Sequence, residues 1–159
     1  MNAIASALTG AELLWFGNSL VAIAVPSATG GDGICIMEHW LPYGDSPPMH
    51  IHRNEDEIFH VIMGTLRLVV DGRELNLEAG QTVLAPKGVP HSYRVESSGG
   101  AHVLTITHGA DFERMVRAAS RPAMARNLPS AVEPTSEVIE MLTRLCAENG
   151  IDLVGPPLS

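Results

Sequence analysis

A chain of 159 residues, 45% hydrophobic and 18% charged, has room for one domain with a modest appendage. Its net charge of −8 argues against a nucleic-acid partner and against an anionic membrane surface. Cys35 and Cys146 lie in unrelated contexts and make no disulfide framework, no run approaches a membrane span, and no positive region precedes the apolar N-terminal stretches, so a cytoplasmic protein is expected. In chain order, residues 1–10 are small and weakly patterned and are expected to form an arm. Residues 12–17 and 19–25 read as two short strands with Gly17-Asn18 between them. A strand over 34–41 puts Cys35, Met37, His39 and Leu41 on one face and Ile34, Ile36, Glu38 and Trp40 on the other. Either Glu38 or His39 then faces inward and needs a polar partner. A proline-rich loop over 42–49 leads to the stretch of greatest chemical interest. Beyond it, 66–71 and 73–77 form a hairpin turned by Asp71-Gly72, 82–85 and 91–95 are short strands, and 101–107 closes the series. Short strands separated by turn signals predict a sandwich or barrel. After His108 the period becomes helical, with Asp111 as cap and Phe112, Met115, Val116 and Ala119 as the apolar stripe. Residues 121–134 hold prolines and read as a linker. Thr135 or Ser136 caps a second helix whose face is Val138, Met141, Leu142, Leu145 and Cys146; Asn149-Gly150 ends it, and Ile151 packs back.

The stretch from Gly44 to Gly64 carries the chemistry. His50 and His52 are two apart, so in a strand both imidazoles point to one face. Arg53, Asn54, Glu55 and Asp56 read as a turn. The following strand, with Glu57, Phe59 and Val61 inward, delivers a carboxylate beside the histidines. His91, with Tyr93 and Val95 on the same face of a later strand, is the candidate fourth ligand. Three neutral imidazoles and one carboxylate suit one divalent transition metal per chain, be it Fe, Ni, Mn, Cu, Co or Zn.

These two stretches resemble the paired motifs of the cupin superfamily. Gly44, His50, His52, Glu57 and Gly64 match the first motif; Gly80, Pro86, Gly88 and His91 match the second. The family's closing Asn falls on Val95, a position that is not a ligand in the pattern. The resemblance covers roughly residues 11–108 and implies a mostly β fold: a single antiparallel β-barrel of jelly-roll type with the metal inside it. Residues 109–159 are then a C-terminal helical extension. The ending, 150–158, is similar to the tail of bacterial single-barrel cupins loosely called quercetin-dioxygenase-like. Single-barrel cupins pair with one another, and the apolar strands before residue 42 offer a contact, so a homodimer is expected.

The ligand set leaves a divalent ion with about one net positive charge, which favours an anionic or bidentate oxygen donor. Glu57 has two possible roles, as ligand and, once detached, as catalytic base. Phe59, Val61, Val83 and Tyr93, with Ala85 and Val95, are the expected walls of a pocket for a small, mostly hydrophobic substrate. His39 and His60 are read either as groups that support the ligands from behind or lie at the surface, or as structural groups, the latter favoured. The resemblance implies a metal-dependent oxidoreductase of the dioxygenase kind. An isomerase or decarboxylase of small acids, and a binding module without turnover, are the alternatives, since fold does not fix function.

Overall fold

Strands form where the sequence alternates and end where it supplies glycine, proline or an Asp-Gly pair. The computed structural model describes residues 10–159. The arm expected over 1–10 therefore lies, apart from Gly10, outside the described residues. The strands are β1 (Glu12–Phe16), β2 (Ser19–Val25), β3 (Ile34–Leu41), β4 (Pro48–His52), β5 (Glu57–Met63), β6 (Thr65–Val70), β7 (Arg73–Glu78), β8 (Thr82–Ala85), β9 (His91–Val95) and β10 (Ala101–His108). Helix α1 (Asp111–Ala119), the two-residue β11 (Arg121–Pro122), helix α2 (Ser136–Glu148) and β12 (Ile151–Pro157) follow. The β6–β7 hairpin turns on Asp71 and Gly72, whose φ values of 51° and 72° are those of a type I′ turn.

The strands build two antiparallel sheets. One has the order β11-β1-β2-β3-β10-β5-β8 and the other β12-β4-β9-β6-β7. From β3 to β10 the chain alternates between sheets, the β6–β7 hairpin excepted, which is the jelly-roll path. Period-two alternation sends one side of each strand between the sheets. Phe59, Val61 and Val103 from the first sheet meet Leu66, Leu68 and Val95 from the second in one apolar cluster. A second cluster joins Leu14, Val21, Ile23 and Met37 to Met115 and Val116 of α1, and to Cys146 and Ile151.

The appendage differs from its sequence reading in three respects. Asp111 is not the cap of α1: the N-cap position is Ala110, with no capping side chain, and Asp111 is the first helical residue. A tertiary partner, Glu55, takes over the capping role. The face expected on α2 is buried mainly at its C-terminal end, where Leu145 and Cys146 join the second cluster, while Val138 is 38% exposed. Thr135 does cap α2, its side chain accepting from the Val138 N–H. Finally, the tail returns as β12 and pairs with β4, placing Ile151 opposite His52 and Leu153 opposite His50. Between the helices, the proline-bearing linker lies on the outside of the first sheet. There the Trp15 indole N–H donates to Asn127 O at 2.8 Å, and the Arg126 guanidinium sits 5.4 Å from the Trp40 ring centre. Among the described residues no helix is long and apolar enough to cross a membrane.

Gly64 separates β5 from β6 with φ at 88°, and a Cβ there would lie 2.6 Å from both Gly100 O and Ser97 Oγ. Gly64→Ala therefore combines a left-handed penalty with a clash against backbone. It is expected to cost about 2 kcal/mol or more of unfolding free energy, measured by urea denaturation. An unchanged midpoint would contradict the fit described.

Candidate metal centre

Three elements converge on one buried point between the sheets. β4 carries His50 and His52 on its inner side, and the β4–β9 register sets His50 directly opposite His91. Glu57 is the first residue of β5 and reaches in from the facing sheet. One donor atom from each of His50, His52, Glu57 and His91 lies within 4.8 Å of the others. Exposure is 0% for His91, 1% for His52, 2% for Glu57 and 9% for His50, so the donors face the protein interior, not bulk water. Glu57 Oε2 is 3.1 Å from His91 Nε2 and 3.3 Å from His52 Nε2.

The outer nitrogens of two rings are already committed. His50 Nδ1–H donates to Pro48 O at 2.8 Å, and His91 Nδ1–H donates to Val89 O at 3.0 Å. Each neutral ring then turns an Nε2 lone pair inward. For His91 that lone pair faces a carboxylate oxygen at 3.1 Å. Two acceptors so placed require a proton or a cation between them. His52 Nε2 is buried with no hydrogen-bond partner among the described residues. Orphaned imidazole nitrogen beside carboxylate oxygen fits a divalent transition metal, and both carbonyl partners are the kind that orient histidine ligands.

The electrostatics agree. Burial would raise the Glu57 carboxyl, but the His52 and His91 imidazoles beside it hold it well below the usual carboxylate range. Burial would lower His52, yet Glu57 and Glu55 raise it to about 9. Burial and the neighbouring His91 push His50 down to about 4. The centre attracts positive charge at one ring and resists it at another, which a shared cation satisfies better than separate protons.

The ambiguity in β3 resolves with His39 inward. Its Nε2 is 2.9 Å from Thr105 Oγ1, and its ring stacks on Phe112 with centroids 6.2 Å apart. Glu38 faces outward but is also buried, 3.6 Å from His102. Burial pushes His39 down to about 4 from 6.5. Because the folded state resists its protonation, the stability it contributes is complete above pH 6.5 and is lost as pH falls towards 4. The loss is about 3 kcal/mol. Denaturant midpoints at pH 7 and pH 4 are expected to diverge more in the wild type than in His39→Gln, by about 1–3 kcal/mol. An equal divergence would refute the assignment. His60 faces outward, with Nδ1 2.8 Å from Thr82 Oγ1.

Of the expected pocket residues, Phe59 stands beside His91, with Tyr93 and Val83 next to it. The Phe59 ring is 6.0 Å from His91 and 6.0 Å from Tyr93, and Val83 pairs with Phe59 across β5–β8. Val61 is deeper in the first apolar cluster. The Tyr93 hydroxyl donates to Asp45 Oδ2 at 3.2 Å, and burial beside Asp45 raises the phenol well above its ordinary range. Three neighbours were not read from the sequence. Thr107 pairs with Glu57 and has a buried hydroxyl without a partner among the described residues. Phe112 stands edge-on to His52 at 5.5 Å. Glu55 Oε2 is 3.7 Å from His52 Nδ1. Only the i, i+3 spacing of Glu55 from His52 hinted at that contact.

A jelly-roll with a buried histidine–carboxylate cluster between its sheets defines a recognisable class. Residues 37–107 match the family model described as the cupin domain, so it is over this segment that the chain is similar to the cupin family. It is similar to quercetin 2,3-dioxygenase of Bacillus subtilis, 33% identical over 86 residues, a match that covers 54% of this chain and only 26% of that enzyme. Among solved structures, the cupin domain of an XRE-family transcriptional regulator from Enterobacter cloacae aligns at 25% identity with a TM-score of 0.52, covering 57% of this chain and 96% of that one. A structure described as a predicted oxalate decarboxylase from Thermotoga maritima aligns at 17% identity and a TM-score of 0.59, covering 64% of this chain and 95% of that one, a likeness of fold.

Proposed function

We propose that the protein is a metal-dependent cupin oxidoreductase, dioxygenase-like, acting on a small oxygen-donor organic substrate. The observation that carries this reading is the convergence of three inward Nε2 atoms and the Glu57 carboxylate on one buried point. The likeness to quercetin 2,3-dioxygenase supports the reaction class. His50, His52, Glu57 and His91 would hold one divalent transition metal. When bound, that ion supplies Lewis-acid chemistry at an oxygen donor and, if redox-active, access to dioxygen. The chain's own residues do the rest. Glu57 balances charge at the centre and, when detached, accepts the proton of a substrate hydroxyl at Oε2. Phe59, Val61, Val83 and Tyr93 exclude water and orient the organic part. Residues 11–108 form the working barrel and 109–159 its extension, which lends β12 to the ligand strand. The two buried, free cysteines suit a cytoplasmic protein.

The test is oxygen consumption by protein loaded in turn with iron, nickel, manganese, copper or cobalt. Flavonols, β-diketones and catechols are the substrates to offer. Uptake with at least one pairing is expected. No uptake with any, together with isomerisation or decarboxylation of a small acid, would replace the oxidative reading.

A homodimer is part of the proposal. On the outer side of the first sheet Ile36, Ile106, Ile58 and Leu84 stand in one row across β3, β10, β5 and β8. Such a row suits a twofold partner. Light scattering at micromolar concentration is expected to give twice the chain mass, and a monomer mass would count against it.

A further inference from the structure

The turn after the two histidines holds a carboxylate that the proposed reaction does not use. Glu55 is 2% exposed. Its Oε1 accepts the Asp111 N–H at 2.7 Å and its Oε2 accepts the Phe112 N–H at 2.9 Å. These are the first two amides of α1, which its own N-cap leaves unbonded. The same Oε2 stands 3.7 Å from His52 Nδ1, the nitrogen opposite the one that faces the centre, an ion-pair distance at which that buried nitrogen has no hydrogen-bond partner among the described residues. Gly109, just before the helix, is shaped to this carboxylate: a Cβ there would lie 2.4 Å from Glu55 Oε1. The adjoining Asn54 also grips the helix, its amide donating to Asp111 Oδ2 at 2.8 Å. Phe112, the second residue of α1, lies between His39 and His52.

We propose that Glu55 is a positioning residue that couples occupation of the centre to the seating of α1, and with it Phe112, beside the centre. This rests on the metal-binding reading above. A cation on His52 Nε2 draws electron density from the ring and makes its Nδ1 edge more positive, which strengthens the charge attraction to the Glu55 carboxylate 3.7 Å away. The carboxylate in turn makes His52 a more basic ligand. The same two oxygens neutralise the helix amides, where the peptide dipoles favour negative charge. What favours one set of contacts favours the other, and the coupling is reciprocal by thermodynamic necessity. A carboxylate serving only as a helix cap would stabilise α1 equally with and without metal.

Co²⁺ titration followed by visible absorption, with amide hydrogen exchange at Asp111 and Phe112, separates these cases. Wild type, Glu55→Gln and His91→Ala are compared. In the wild type, Co²⁺ is expected to slow exchange at both amides. In Glu55→Gln, Co²⁺ binding is expected to weaken about 10–100-fold, with a shifted absorption band and no slowing. Wild-type affinity and spectrum in Glu55→Gln, or exchange in the wild type indifferent to Co²⁺, would overturn the coupling. If neither wild type nor His91→Ala binds Co²⁺ or Zn²⁺, the metal reading itself fails, a result distinct from loss in His91→Ala alone. Should Glu55→Gln not fold, the wild-type exchange measurement decides by itself.

Discussion

His52→Ala is expected to strip the protein of bound transition metal. Wild-type protein dialysed against buffer should retain about one ion per chain, and the variant less than about a tenth of that. The substitution removes the ring that lies between two carboxylates, 3.3 Å from Glu57 and 3.7 Å from Glu55. Three donors remain, but the two buried acids lose their common partner. Removing one member of a buried charged set costs about 3–5 kcal/mol, so the variant should also unfold at lower denaturant. Elemental analysis is the decisive measurement. Equal metal in both proteins would show that these residues are not the ligands.

Glu57→Gln is expected to separate binding from turnover. The amide keeps the shape of the side chain and one oxygen donor, so a reduced amount of metal should stay bound. It cannot accept a proton, and it adds no negative charge to offset the ion. Loss of a general base and of charge balance together should lower turnover by about 10²–10⁴-fold with whichever substrate the oxygen measurements identify. Turnover within a few-fold of wild type at matched metal content would assign Glu57 a purely structural role.

The convergence of His50, His52, Glu57 and His91 was legible in the sequence because strand geometry is local. His50 and His52 share a face by alternation alone, and the turn over 53–56 is short enough to fix Glu57 in the next strand. His91 follows from a turn of the same kind, and the register of β4 against β9 honours it. What was not legible is long-range. Asp111 has the right side chain for a cap, but Glu55, 56 residues earlier in the chain, fills that role. Alternation could not choose between Glu38 and His39, because neighbouring polar residues satisfy either parity; Thr105 across the sheet makes the inward position tolerable for the imidazole. The strand formed by the tail was not read from the sequence, since Gly155, Pro156 and Pro157 carry no strand signal, yet an edge position tolerates proline. Its strand character comes from β4, which offers the hydrogen-bonding edge.

That last pairing sets an order of events. His52 leaves the ribosome about a hundred residues before Ile151, its neighbour across β12. Until then the strand carrying both histidines has one side without its partner, and loop closure over that span comes late. On the proposed metal reading, loading of an ion would then be a finishing step: a nascent chain stalled before its final helix would carry all four candidate ligands and still lack the strand that pairs with the one bearing His50 and His52.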